Sequence, residues 1–289
     1  MVESHMPDVS PYEESVIAYR SNPAFHEFAR KNYLDVDLGE AVSRYLQSEE
    51  FLRICNLLRP YLSPHARWLD IGAGRGLTSF ALTKLGAHIT AVEMDSSDVV
   101  GIGALSNHLR HNRTRLCAVR ADILCLPFAS SSFNAVFCRS TLHHLVSLEQ
   151  GLREIYRVLK PDGVFLALNE HILALFSSGK TFLLHHPSVS YGVNENAYHA
   201  LTYWWKLRQC GFRHIQIYGY PLEFADFVKV TQENWFRAKL IALPGVGGGC
   251  AHLLHRIHLL VRRYLRVPEE TLPAISIVAQ KIGNYKVSV

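Results

Sequence analysis

The sequence predicts an α/β chain with a doubly wound sheet, and three observations carry that prediction. The run Arg67-Trp68-Leu69-Asp70-Ile71 is an apolar strand that leads straight into glycines at alternate positions, Gly72, Gly74 and Gly76. A second apolar run, Ile89-Thr90-Ala91-Val92, ends at Glu93, about twenty residues past the glycines, where a doubly wound sheet places the carboxylate that grips ribose hydroxyls. Further strand-like runs follow at residues 116–120, 133–138 and 164–168.

Ahead of the first strand, residues 38–62 carry apolar side chains at near-helical spacing (Val42, Tyr45, Leu46, Phe51, Leu52, Ile54, Leu57, Leu58), which predicts helices there. The expected organisation is a helical cap over residues 1–65 followed by the main domain over 66–289, with Asn32-Tyr33-Leu34-Asp35 as a candidate lid segment.

At the glycine turn, Gly72, Ala73 and Gly74 permit a tight bend and a close backbone approach to a ligand. A helix starting near Leu77 points its free N–H groups at the same place. The dinucleotide fingerprint requires a small residue where Leu77 stands, and the third glycine comes one residue early, so a dinucleotide fits poorly. After the third strand, Asp122 in Ala121-Asp122-Ile123 is placed to accept from an exocyclic amine. The fourth strand runs into Arg139-Ser140-Thr141-Leu142-His143-His144-Leu145. Further on, Leu159-Lys160-Pro161-Asp162-Gly163 closes a helix at Lys160, because proline resists helix continuation and glycine permits the turn into a strand.

As a set, the segments over residues 66–170 resemble the class I S-adenosylmethionine-dependent methyltransferases, and most of all the small-molecule, methyltransferase type 11-like group with Leu-His-His after the fourth strand. The resemblance implies a Rossmann-like seven-stranded sheet of order 3-2-1-4-5-7-6 with strand 7 antiparallel. It also implies S-adenosyl-L-methionine as cofactor, held by Asp70, Gly72, Ala73, Gly74, Glu93, Met94, Asp122, Ile123 and Arg139, and N-terminal helices that cover it. The family commonly has Asp where this chain has Asn134; the position lies at the start of the strand, away from the carboxyl ends where ligands bind, and reads as structural.

Methyl transfer from a sulfonium is an in-line displacement, so the protein must align the acceptor and, for a hydroxyl, remove its proton. A neutral imidazole suits that work near neutral pH. His143 is the first candidate base and His144 the second. Leu-His-His also occurs in relatives that methylate carbon and nitrogen, where the histidine only shapes the cofactor pocket. Glu170 and His171, just past the fifth strand, face the same cavity, where a carboxylate could orient an imidazole; a solvated loop is the simpler reading of the two. The chain has 16 histidines, including the pairs His143-His144 and His185-His186, but no His-x-x-x-His with a nearby carboxylate, so no metal is expected.

Past the fifth strand, residues 171–195, with His185, His186, Tyr191 and Asn194, read as an inserted lid over the acceptor site. A helix is expected near 197–210, a sixth strand at 215–218 and the last at 274–279. Residues from about 222 to 268 exceed an ordinary connection and read as a helical hairpin. Its second helix, 252–265, sets Leu253, Leu254, Ile257, Leu260, Val261, Tyr264 and Leu265 on one face beside Arg262, Arg263 and Arg266. Packing on the domain is the expected role of that face, with contact to a membrane surface the weaker alternative.

Composition narrows the function. Hydrophobic content of 48% and charge of 19% are those of a chain with a sizeable core. The six cysteines are scattered without a Cys-x-x-Cys pair, as expected of buried thiols in a reducing compartment. Residues 1–30 lack the apolar core of a signal peptide and no stretch qualifies as a membrane span, so cytoplasm is the default. A net charge of +5 without a basic face argues against a nucleic-acid partner. The expected function is methyl transfer to a small or medium-sized metabolite, with O, N or C as acceptor atom left open, as is the oligomeric state. The alternatives are RNA or protein methylation, for which no Asn/Asp-Pro-Pro-Tyr follows the fourth strand, and a cofactor-binding partner protein without transfer.

Overall fold

In the computed structural model, β1 (Arg67–Ile71) lies in the middle of the sheet, with Trp68, Leu69 and Ile71 fully buried. That continuous apolar run is what a strand covered on both faces requires. The structure describes residues 9–219 and 274–283, apart from 62, 64, 112–113, 174–182 and 184–185. β2 (His88–Glu93), β3 (Leu116–Arg120), β4 (Phe133–Arg139) and β5 (Leu159–His171) run parallel to β1, while β7 (Ala274–Gln280) inserts antiparallel between β5 and β6 (Arg213–Gly219). The resulting order is β3-β2-β1-β4-β5-β7-β6, as expected.

Because side chains alternate along each strand, the sheet has two cores. On one face Leu69, Ile71, Val136, Cys138 and Phe165 meet α7 (Leu148–Val158) and α8 (Ala200–Gln209). On the other, Trp68, Ala135, Phe137 and Leu166 meet α3 (Leu38–Leu46), α4 (Glu49–Leu58), α5 (Leu77–Thr83) and α6 (Ile102–His111). Ahead of these, α1 (Pro11–Ser21) and α2 (His26–Lys31) precede the expected helices of residues 38–62. Hydroxyl or carboxylate caps start α1, α3, α4 and α7: Ser10, Asp37, Ser48 and Ser147 each accept from a backbone N–H three residues on.

Two local boundaries differ from expectation. The helix before the fifth strand ends at Val158 rather than Lys160: Lys160, which precedes Pro161, is pushed out of the helical region, and Leu159 is already extended and pairs with Phe133 of β4. β5 also runs on through Glu170 and His171, which pair with Ile275 and Ala274 after a register shift beyond Ala167. These two residues are therefore part of a strand and not of a solvated loop. Asn134 takes a structural part, its Oδ1 accepting from Arg67 N and from Lys160 Nζ, both at 3.1 Å. The hairpin expected over 222–268 lies outside the described residues, and the 171–195 lid is described in part. Among the described residues no helix is long and apolar enough to cross a membrane.

Candidate active site

The carboxyl ends of β1, β2 and β4 meet at the glycine turn. Gly72 and Gly74 have φ of +65° and +53°, a region L side chains rarely adopt. A Cβ on Gly72 would stand 2.4 Å from the Thr141 side chain, so this glycine is demanded by the loop after β4 more than by a ligand; at Gly74 the nearest obstacle is the Val100 carbonyl oxygen at 3.2 Å. Ala73 N donates to Val92 O at 3.0 Å, which locks the turn against β2.

Glu93 ends β2 with its carboxylate held by three backbone donors. Gly74 N reaches Oε2 at 2.7 Å, and Met94 N and Asp95 N reach Oε1 at 2.8 and 2.9 Å. Burial raises its pKa, and those same backbone N–H groups oppose the rise. A carboxylate has about four acceptor sites, so one remains for a hydroxyl. The Met94 side chain is exposed. Asp122 Oδ1 accepts from Leu124 N at 2.8 Å and starts the 3-10 turn that contains Ile123, leaving its second oxygen to face outward. Asp70 is buried, and its Oδ2 accepts from the Ser79 hydroxyl of α5; burial pushes its pKa up to about 7.

Arg139, at the end of β4, is engaged by the N-terminal helices. Its Nε donates to Glu50 Oε1 of α4 at 2.9 Å, and its guanidinium lies over the Tyr33 and Tyr45 rings at 5.5 and 5.7 Å. The residue expected to touch a cofactor thus ties the end of β4 to the N-terminal helices. The Asn32–Asp35 segment is likewise anchored: Tyr33 O accepts from Arg75 Nη2 at 2.7 Å, and Arg20 Nε donates to Leu34 O at the same distance.

Beyond β4, Leu142–His144 forms a 3-10 turn. Ser140 and Asn169 both take left-handed backbone (φ +50° and +52°) and bond to each other, Asn169 Nδ2 to Ser140 Oγ at 2.8 Å. This paired kink, at the bulge of β5, brings Glu170 under the turn. The Glu170 carboxylate is fully buried and accepts from Thr141 N at 3.1 Å, His143 N at 3.2 Å and His143 Nδ1 at 2.8 Å. An acceptor on Nδ1 fixes the neutral tautomer with its lone pair on Nε2. Burial, then the neighbouring His144 and His186, hold the His143 pKa well below its ordinary value. The imidazole is therefore neutral across physiological pH. His144, the second candidate, is partly exposed and turns its Nδ1 to the Asn194 carbonyl at 2.8 Å.

Sequence reasoning missed Glu195. Its side chain is 3% exposed, with Oε2 3.8 Å from His143 Nε2 and Oε1 3.5 Å from His186 Nδ1. Burial, then the Glu170 charge, pushes its pKa up to about 8. Nothing local marks it, since it lies in an irregular segment whose partners are all distant in sequence. Over the site lies α1: Ser10 Oγ donates to Asp95 Oδ2 at 2.6 Å, Tyr19 OH and Ser188 Oγ are 3.0 Å apart, and the Tyr12 and His144 ring centres are 6.4 Å apart.

Residues 69–167 match the family described as Methyltransferase domain. The chain is 33% identical over 150 residues to the sterol 24-C-methyltransferase ERG6B of Gibberella zeae, covering 51% of this chain and 36% of that protein. It is 37% identical over 97 residues to the demethylmenaquinone methyltransferase of Clavibacter sepedonicus, covering 34% and 38%. The chain spans well under two thirds of the length of either relative. Among solved structures, phosphoethanolamine N-methyltransferase 2 of Haemonchus contortus, in complex with S-adenosyl-L-methionine, superposes with a TM-score of 0.56 at 18% identity, over 81% of this chain and 52% of that one. Sheet order and matched segment agree: residues 69–167 carry the methyltransferase-domain match and lie on a sheet with the fold of the class I methyltransferases.

Proposed function

We propose that the chain transfers a methyl group from S-adenosyl-L-methionine to a small or medium-sized metabolite. The observation that carries this reading is the placement of a neutral, carboxylate-oriented imidazole, His143, one loop away from the glycine turn and locked to it through Thr141 and Gly72. The residues present fit the cofactor: the Glu93 carboxylate is pre-positioned with one acceptor site left for a ribose hydroxyl, Asp122 keeps an oxygen for an adenine amine, and the Gly72-Ala73-Gly74 turn carries no bulky side chain. Bound there, the cofactor supplies an electrophilic methyl.

The protein's part is alignment and proton handling. Glu170 holds His143 so that Nε2 is the free base, and α1 and the 187–195 segment exclude water from that nitrogen. A hydroxyl acceptor delivers its proton to Nε2 as the methyl arrives, and Glu170 stabilises the imidazolium formed. The acceptor class draws support from the sterol and quinone names of the relatives, and the burial of His143, Glu170 and Glu195 suits a small molecule better than a macromolecule.

Calorimetry with S-adenosyl-L-methionine, followed by detection of S-adenosylhomocysteine over a panel of phenolic, sterol, quinol and amine acceptors, tests the proposal. Donor binding with acceptor-dependent product is the expected result. A folded protein that fails to bind the donor overturns it, and binding without turnover on any acceptor favours the partner-protein alternative.

A further inference from the structure

Three segments distant in sequence converge beside the His143–Glu170 pair: the turn after β4, the end of β5 and the Asn194-Glu195-Asn196 loop. His143 Nε2 and His171 Nδ1 each lie 3.8 Å from Glu195 Oε2, and the three atoms are all within 4.8 Å of one another. Their side chains are 1%, 16% and 3% exposed. The flanking amides are fixed, Asn194 Nδ2 to His144 O at 2.7 Å and Asn196 Nδ2 to His143 O at 3.0 Å. They aim Glu195 inward. Its Oε2 nonetheless makes no hydrogen bond among the described residues, which leaves a buried polar oxygen facing two imidazoles with no partner in the protein, a place a cation would fill.

We propose that His143, His171 and Glu195 hold one divalent cation of the imidazole-preferring class, zinc or ferrous iron. Two imidazoles and one carboxylate are the donor set that such ions take in sites with open positions, whereas magnesium and calcium select oxygen ligands. The outer shell is already in place. Glu170 accepts from His143 Nδ1, which presents Nε2 as the ligating lone pair, the arrangement that orients metal-bound histidines. His144 turns its Nδ1 toward the site, 3.8 Å from Glu195 Oε2, and that nitrogen's proton goes to the Asn194 carbonyl, so it has no lone pair to offer the ion. His186 sits on the far side of the Glu195 carboxylate, against Oε1.

Bonds of about 2.0–2.2 Å put tetrahedral ligand atoms about 3.4 Å apart, so each imidazole nitrogen must approach Glu195 Oε2 by about half an ångström and the two nitrogens must approach each other by up to about 1.5 Å. The His143 and His171 rings now stack at 4.1 Å and 16°, so loading rotates the His171 ring about Cβ–Cγ and breaks the stack. The cation claims the Nε2 lone pair, which makes ion binding and proton acceptance at His143 mutually exclusive. Nothing here depends on methyl transfer, so a failure of donor binding leaves the test intact.

The full chain, stripped with a chelator, is titrated with zinc by calorimetry and with cobalt(II) by visible absorption. One equivalent should bind, with a ligand-field band of a nitrogen- and oxygen-ligated site. In protein labelled with 15N-histidine, zinc should move the His143 Nε2 resonance away from that of a free imidazole nitrogen. The isosteric Glu195→Gln and the His171→Gln variants should each weaken zinc at least ~10-fold, Glu170→Gln by roughly 10–100-fold as an outer-shell change, and His144→Gln by no more than a few-fold. Folding of each variant is checked by circular dichroism. Absence of the cobalt band in the folded native chain, or zinc affinity that survives both Glu195→Gln and His171→Gln, overturns the site.

Discussion

His143 is buried, yet its chemistry is set by a residue 27 positions away, since Glu170 fixes which nitrogen carries the proton. Glu170→Gln should therefore keep the fold but allow the other tautomer, lowering turnover by roughly 10²–10⁴, the range of a lost general base, as His143→Ala should. Donor affinity should stay within a few-fold in both, as calorimetry would show; a Glu170→Gln enzyme with near-native turnover would take the carboxylate out of the mechanism. Glu93→Ala should act oppositely, weakening the donor by about ten-fold or more, the worth of a charge-assisted hydrogen bond of roughly 1.5–3 kcal/mol. Unchanged donor affinity in a folded Glu93→Ala protein would remove the ribose assignment. The places of His143, Glu93 and Asp122 at the carboxyl ends of strands were legible in the sequence, because each sits within a few residues of a strand end that the apolar pattern marks. Glu195 and the Arg139–Glu50 link were not, because their meaning lies wholly in tertiary partners.

Between elements, the loop after β4 and the glycine turn after β1 share one volume. Gly72→Ala adds a Cβ that meets Thr141 at 2.4 Å on backbone of positive φ, and should destabilise by about 1–3 kcal/mol. Adding Thr141→Ala removes the clash but not the backbone strain, so denaturant midpoints should show partial rescue; no rescue would mean the strain alone acts. A second coupling joins β1 to α5 through Asp70 and Ser79. The folded pKa of Asp70 is raised from 3.8 to about 7, so the folded state holds a proton that the unfolded state releases. Its contribution is fully present below about 3.8 and lost as the pH rises through about 7. Melting temperatures should carry a downward component across that rise, flattened in Asp70→Asn; an identical profile in the variant would contradict the assignment. Strands and their glycine turn could be read from periodicity alone. α7 ends two residues earlier than expected because Pro161 excludes Lys160 and the pairing with Phe133 claims Leu159, and the extension of β5 was missed because a bulge has no local signature.

At the scale of the molecule, the cap is attached unevenly. α3 and α4 are joined to the sheet by the buried Arg139–Glu50 pair, while Arg75 on the glycine turn holds Tyr33 O. α1 is held by two hydroxyl contacts, Ser10 to Asp95 and Tyr19 to Ser188, and by Arg20, which donates to the Leu34 and Asp35 carbonyls, with no buried ion pair to the sheet among the described residues. Backbone amides of α1 should exchange faster than those of α3 and α4, faster still in Ser10→Ala/Tyr19→Phe, and slower with S-adenosyl-L-methionine bound. Hydrogen-exchange mass spectrometry would decide this, and equal protection of α1 and α4 would refute it. The sheet order itself came from resemblance rather than periodicity, since nothing in the pattern of a strand names its neighbour.

The uneven attachment of the cap bears on how ligands would come and go. A path past α4 would have to break the buried Arg139–Glu50 pair beside the Tyr33 and Tyr45 rings, whereas a path beneath α1 would have to part the contacts of Ser10, Tyr19 and Arg20, none of which is a buried ion pair. A doorway on the α1 side would be the less costly of the two, and donor and product would then have to pass through it in turn.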